Sequence, residues 1–218
     1  MIRFLNVCFE HAPGKGIRNI NFAIRRGEFV LLVGPTGAGK TTILRSIYLE
    51  LRPKSGQILI EDKFQRNDKL TDVAEMRQKI GIVFPEARLL KDRTIFENVA
   101  LPLQIAGFKR REMHLQVNKA LFQFGLQDRA QSYPAELSSG EQKKAAIARA
   151  LVVRPFILLA DEPLANVDFD ASVEVLEHLQ RINSEGMTIL AATHVPNPYQ
   201  GIAHRILYLK NGSLSEKP

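Results

Sequence analysis

The chain is poor in the residues that cross-link or anchor a small fold. It has one cysteine, Cys8, and no tryptophan in 218 residues. A single thiol excludes an intramolecular disulfide and a zinc centre of paired cysteines, and it fits a reducing compartment. No apolar run reaches the roughly 20 residues that a membrane-spanning helix needs. The opening Met1-Ile2-Arg3-Phe4-Leu5-Asn6 lacks the apolar core of a secretory signal. These absences predict a cytoplasmic chain whose membrane role, if it has one, runs through a partner. Internal repeats and low-complexity tracts are also missing, which argues against a solenoid or a linker-dominated chain.

Acidic residues are outnumbered, 23 against 30 basic ones, for a net charge of +7. Nucleotide, anionic lipid and nucleic acid are all compatible with that sign. The basic residues are scattered, with short clusters at Arg25-Arg26, Lys109-Arg110-Arg111 and Lys143-Lys144. No aromatic side chains interleave with them, so each cluster reads as solvated surface and no nucleic-acid partner is expected. The hydrophobic content of 45% supplies a sizeable core. The length suits one α/β domain with room for an inserted subdomain.

The stretch Gly34-Pro35-Thr36-Gly37-Ala38-Gly39-Lys40-Thr41 has the spacing of a phosphate-binding P-loop. The apolar run 29–33 before it reads as a buried strand, and 40–51 after it reads as a helix, so the motif lies at a strand-to-helix turn. Gly37 and Gly39 let the backbone curl so that several N–H groups share one concavity. The helix behind adds its positive end. Lys40 is expected to reach the β- and γ-phosphates, Thr41 to ligate Mg²⁺, and Thr42 to bond a further phosphate oxygen of ATP.

Along the rest of the chain, 2–9 and 18–25 read as strands joined by a turn at 11–16. A strand at 57–61, a polar loop over 62–71, a helix at 72–79 and a short strand at 80–84 follow. From Thr94 to Leu151 the period is helical. Thr94 and Glu97 have capping-box spacing, and Gly107 and Gly125 separate further helices. Strand signals return at 156–160, 187–192 and 205–209, with a helix at 170–183 and an Asn211-Gly212 hairpin turn leading to 213–216. The run 156–160 has no polar alternation, which marks a parallel strand covered on both faces. The expected fold is α/β, a P-loop NTPase with a RecA-like mixed-sheet core, an N-terminal antiparallel portion and an inserted α-helical subdomain. The sheet core would take 1–86 and 153–218 of a single domain, and the helices 87–152.

Asp161 and Glu162 close the buried run 156–160, at the strand end where open α/β sheets bind ligands. Asp161 is expected to hold Mg²⁺, and Glu162 to act as general base toward the attacking water. In Leu137-Ser138-Ser139-Gly140-Glu141, Ser138 and Glu141 again have capping-box spacing. A helix start carrying a hydroxyl and a glycine amide is also an anion site.

The order of the P-loop, Leu-Ser-x-Gly-Glu at 137–141, the strand 157–162, Ala165-Asn166-Val167-Asp168 and Thr193-His194 resembles that of ATP-binding-cassette ATPases over essentially the whole chain. The resemblance implies two copies closing head to tail on ATP. Ser138 and Gly140 of one copy would meet the γ-phosphate held by the other. Asp168 would lie in the loop crossing the interface, and His194 would contact the γ-phosphate beside Glu162. Pro85 stands where cassettes normally carry a Gln that ligates Mg²⁺ and senses the membrane partner. ATP binding is expected to persist, and turnover and coupling are the properties this departure touches. By position His11, with Phe9 as runner-up, is the candidate to stack on adenine.

Within the family, Met1-Ile2-Arg3-Phe4, Leu89 to Thr94, Glu97 to Leu103 and Leu159 to Pro163 are similar to a branch that serves bacterial cell division. That resemblance implies a homodimer under two integral-membrane subunits, whose cytoplasmic helices would dock near 84–105. Lipoprotein-releasing and macrolide-export ATPases share the Glu97 to Leu103 pattern and are the nearest alternative. A soluble cassette acting on nucleic acid or ribosomes is the alternative of another class.

Overall fold

The computed structural model describes residues 1–12, 15–61, 63–64 and 70–215. Strands β1 (Ile2–Ala12) and β2 (Lys15–Ile24) form a hairpin, and β3 (Phe29–Val33) leads through the glycine-rich turn into α1 (Lys40–Ile47). Then come β4 (Ser55–Ile60), β5 (Lys63–Phe64), α2 (Leu70–Gln78) and β6 (Ile80–Val83). The next stretch carries helices α3 (Ile95–Ile105), α4 (Arg110–Gln123) and α5 (Ser139–Leu151), with no strand among its described residues. The chain ends with β7 (Ile157–Asp161), α6 (Phe169–Ser184), β8 (Thr188–Thr193), β9 (Arg205–Lys210) and β10 (Ser213–Ser215).

Two sheets result. One is antiparallel in the order β2-β1-β4-β5, and the other runs β10-β9-β3-β8-β7-β6. In the second, β9, β3, β8, β7 and β6 are parallel and β10 folds back antiparallel on β9. This is the expected mixed P-loop core with its antiparallel N-terminal portion. The apolar runs without alternation occupy its centre because both faces are covered. In β3, Phe29, Leu31 and Val33 point into a core shared with α3 to α6, while Val30 and Leu32 point into a second core shared with α1 and the antiparallel sheet. β7 divides in the same way, Leu158 and Ala160 to one side, Ile157 and Leu159 to the other. Each fully buried aliphatic side chain of this kind stabilises the fold by about 1.5–3 kcal/mol.

Two local departures from the sequence expectation have tertiary causes. Helix α1 stops at Ile47, short of Leu51, because Leu49 turns left-handed at φ 62°. Arg77 of α2 donates to the carbonyls of Tyr48 and Leu49, both at 3.1 Å, and so holds the turn just past the helix end from outside. The polar stretch 62–71 contains a two-residue strand, β5, pairing Phe64 with Leu59, and α2 begins at Leu70. Residues 62 and 65–69 of that stretch lie outside the described residues.

Candidate phosphate-binding and hydrolysis site

Three parallel strands end side by side at one edge of the mixed sheet. Val33 pairs with Thr193 at the ends of β3 and β8, and Asp161 pairs with Ala192 at the ends of β7 and β8. The residues just beyond them, the Gly34 turn, Glu162 and His194, are therefore neighbours although far apart in sequence.

The turn curls as its glycines allow. Gly37 has φ 80° and Gly39 φ 106°, and a Cβ on Gly39 would lie 2.3 Å from the Ile17 methyl. Gly39 sits at the N-cap of α1, where no side chain caps the helix and no acid occupies the first turn. Neither a capping side chain nor a first-turn acid therefore competes with a ligand for the positive end of the helix dipole. Lys40 is 6% exposed, and its ammonium donates to the carbonyls of Gly34 at 2.7 Å and Pro35 at 3.2 Å. Pro35 and Thr36 form the exposed rim of the loop, Ala38 is half-buried, and Thr42 is buried beneath.

Thr41 Oγ1 donates to Asp161 Oδ2 at 2.8 Å. This hydroxyl–carboxylate pair beside the loop is the hard-oxygen donor set that suits Mg²⁺ when substrate phosphates complete the shell. Burial pushes the Asp161 carboxyl up. Glu162 adds to the rise, while the Thr41 hydrogen bond and the Lys40 charge oppose it.

Glu162 is a non-glycine residue at φ 45°, an unusual conformation that clusters at functional positions. The left-handed turn is held by Glu162 N–H donating to Ala192 O at 2.9 Å and by Ala165 N–H donating to Glu162 O at 2.9 Å. It places Glu162 Oε1 2.9 Å from His194 Nδ1 and 3.6 Å from Lys40 Nζ, with the Thr193 hydroxyl donating to Oε2 at 3.2 Å. Lys40, Thr41, Asp161, Glu162 and His194 thus form one cluster that can neutralise phosphate charge, hold a cation and accept a proton from water.

Ser138, Gly140 and Asp168 form a second cluster at the starts of α5 and α6. The Ser138 hydroxyl accepts from Glu141 N–H at 3.2 Å and Ser138 N–H donates to Glu141 Oε2 at 2.8 Å, a complete capping box. Asp168 caps α6, accepting from Ala171 N–H at 2.9 Å. Gly140 is buried where a Cβ would come within 2.4 Å of Ala171 Cβ, so α5 and α6 meet only because residue 140 has no side chain. That packing reason could not be read from the motif. His11 is the next-to-last residue of β1, but its side chain lies outside the described residues, and Phe9 is buried in the core that faces α1.

One basic cluster is a correction. Lys143 was expected on the solvated surface with Lys144, but it lies on the inward face of α5 and is 3% exposed. Its ammonium donates to the Pro85 and Phe84 carbonyls, and burial pushes it down to about 8. Lys144 pairs with Glu174 of α6 at 2.7 Å. Asn98 is a second residue that the sequence did not single out. It is fully buried, and its amide bonds the backbone of Leu90, Arg93 and Thr94, fixing the loop before α3. The neighbouring Thr94–Glu97 capping box, expected from spacing, is present.

Between β6, α2, α3 and α5 lies an open cleft of about 420 Å³ lined by Tyr48, Arg77, Phe84, Leu101, Ile105 and Val153. Ile105 is 64% exposed at its rim. Among the described residues no helix is long and apolar enough to cross a membrane.

Comparison with known proteins gives one consistent result. The family profile described as "ABC transporter" matches residues 17–165. The cell division ATP-binding protein FtsE of Streptococcus pneumoniae is 39% identical over 196 residues, 90% of this chain and 85% of that protein. The methionine import ATP-binding protein MetN 1 of Listeria innocua is 38% identical over 93% of this chain and 60% of its own length. Among solved structures, the dimeric post-hydrolysis state of the ATP-binding cassette MJ0796, bound to ADP and Pi, superposes with a TM-score of 0.88. It is 31% identical and the match covers 99% of this chain and 97% of that one.

Proposed function

The chain belongs to the ABC transporter family and is a P-loop ATPase; from that premise we propose that it powers a membrane complex of the kind FtsE serves in cell division. The observation that carries the reading is the cluster at the sheet edge, in which Lys40, Thr41, Asp161, Glu162 and His194 converge beside an uncapped helix start.

The loop 34–39, Lys40 and Thr42 bind the phosphates through backbone amides, ammonium and hydroxyl. Thr41 and Asp161 would hold Mg²⁺, which when bound neutralises charge on the β- and γ-phosphates. Glu162 takes the proton of the attacking water, a contribution of about 10²–10⁴ in rate. His194 holds the Glu162 carboxylate from one side and Thr193 from the other. Ser138, Gly140 and Asp168 act across a head-to-tail homodimer, Ser138 and Gly140 on the partner copy's phosphate and Asp168 at the seam. The MJ0796 structure, a dimer bound to ADP and Pi, supports a dimer.

The cleft between β6 and α3 takes a cytoplasmic helix of an FtsX-like integral-membrane subunit. It is apolar at Phe84, Leu101 and Ile105 and has Arg77 and Arg149 in its lining. The chain would then be cytoplasmic, held at the inner face of the membrane, and would signal to cell-wall hydrolysis rather than carry a solute. MetN 1 supports a second reading, a solute-import ATPase docking a different membrane subunit through the same cleft.

Glu162→Gln tests the site. It is expected to abolish turnover and trap an ATP-bound dimer in light scattering, and turnover at the parent rate would refute the assignment of the base. Co-purification from the native membrane tests the complex. A cell-division membrane subunit supports the first reading, and a solute permease replaces it with the second.

A further inference from the structure

The machinery described so far leaves a buried charge unused. Lys143 lies on α5, the helix whose first turn holds Ser138 and Gly140, and it donates to Pro85 O at 2.6 Å and Phe84 O at 3.3 Å. Neither partner is a carboxylate. Burying an ammonium against neutral acceptors costs stability, so an apolar side chain would serve the fold alone better. Further along the same helix, Arg149 donates to Ala87 O at 2.9 Å and Arg88 O at 2.8 Å. The segment 84–88 is therefore gripped by its main-chain carbonyls. Proline at 85 has no N–H to donate, but its carbonyl accepts like any other. The last register pair of β6 and β7 is Val83 with Ala160, so the Phe84–Pro85 turn follows the end of the strand that neighbours β7, the strand Asp161 closes.

We propose that Lys143 is a positioning residue for ATP hydrolysis: its ammonium fixes the Phe84–Pro85 turn to the helix that begins at Ser138, and so ties that helix to the strand end beside Asp161 and Glu162. The contact joins the second cluster to the first within one chain, through a side chain and two carbonyls. It rests on hydrolysis at the Glu162 site and not on the identity of a membrane partner.

Several charged groups on the elements packed around Lys143 have partners of their own. On α5 Lys144 pairs with Glu174 of α6, and Arg149 holds Ala87 and Arg88. On α3 Glu97 is turned to Thr94, and on β7 Asp161 bonds Thr41. In the gripped segment the Arg88 guanidinium lies 4.1 Å from the centre of the Phe84 ring, and Glu86 is exposed. Burial alone, with no charged neighbour contributing, lowers Lys143 to about 8, so pH reports on the ammonium.

The test uses the full chain with Lys143→Met and Lys143→Arg beside the parent and Glu162→Gln. Each is assayed for Mg-ATP turnover from about pH 6.5 to 9.5 and for binding of a fluorescent ATP analogue. Lys143→Met is expected to lower kcat about tenfold while KM and analogue affinity stay within about threefold of the parent. The parent's kcat is expected to decline above about pH 8, the value of Lys143, as the charge-assisted bonds weaken, whereas Lys143→Arg stays flat. A Lys143→Met kcat within about twofold of the parent would overturn the proposal, as would an alkaline decline shared by the parent and Lys143→Arg. If Lys143→Met does not fold, the pH comparison decides alone. Glu162→Gln separates the two levels of failure: it should bind the analogue and turn over at no pH, and retained turnover would remove the site on which the proposal stands.

Discussion

The starts of α1 and α5 are both helix N-termini with glycines nearby, and they are built in opposite ways. The α1 start has glycine at its cap, no capping side chain and no acid in its first turn. The α5 start has Ser138 and Glu141 bonded to each other's backbone, and Arg129 3.0 Å from Glu141. Both ends carry the same dipole. At α1 neither a capping side chain nor a first-turn acid competes for the amides, whereas at α5 the protein's own oxygens satisfy part of them and the packing of Gly140 on Ala171 fixes the helix in place. The first end is organised for a ligand held within one chain. The second is organised for the fold first, and what it offers a ligand is the outward side of a completed cap.

The largest effect that tests this contrast is at the first end. Lys40→Ala is expected to reduce ATP affinity and turnover by about 10²-fold or more while the unfolding midpoint stays near the parent's, because the ammonium's work is on phosphate. Ser138→Ala should do the reverse within one chain. It is expected to cost about 1 kcal/mol of stability through the lost cap, with monomer ATP affinity within about twofold of the parent. Equilibrium denaturation and nucleotide titration of both variants read this directly, and an affinity loss in Ser138→Ala as large as that in Lys40→Ala would erase the distinction.

The smallest effect concerns pH. The Ser138 N–H, and after it Arg129, hold the Glu141 carboxyl below its usual 4.5 against the opposing effect of burial. A depressed carboxyl contributes stability that is fully present above its unfolded value and is lost as pH falls through the folded one. The α5 cap should therefore weaken below about pH 4.5. Glu141→Gln should flatten that part of the acid stability curve by less than about 1 kcal/mol, since the group is partly exposed. The α1 end has no acid of its own in the first turn, and the carboxyl bonded there, Asp161, is pushed up by burial rather than held down. An acid limb unchanged in Glu141→Gln would show that the cap is not what titrates.

Much of this was legible because it is local. The two-faced burial of β3 and β7 follows from runs without a polar residue, and the capping boxes at Thr94 and Ser138 follow from residues three apart. In the cluster, Lys40 and Thr41 were legible from the P-loop spacing and Asp161 and Glu162 from the acidic end of a buried strand, whereas His194 was expected only through the family resemblance. Lys143 was not. Beside Lys144 it looked like solvated charge, and only the docking of α5 on β6 turns it toward carbonyls from a distant part of the chain. The early end of α1 was hidden for the same reason, because Arg77 of α2 holds the carbonyls of Tyr48 and Leu49 in the turn after it.

Taken by itself, the sequence determined the phosphate loop, the acidic strand end, and the strand and helix periods. These depend on residues within a few positions of one another, where backbone geometry and hydrophobic spacing act directly. The tertiary structure decided which charges are buried, why residue 140 must be glycine, and which carbonyls receive Lys143 and Arg149. Burial and pairing across the sheet are sums over distant segments, and no short window of residues contains them.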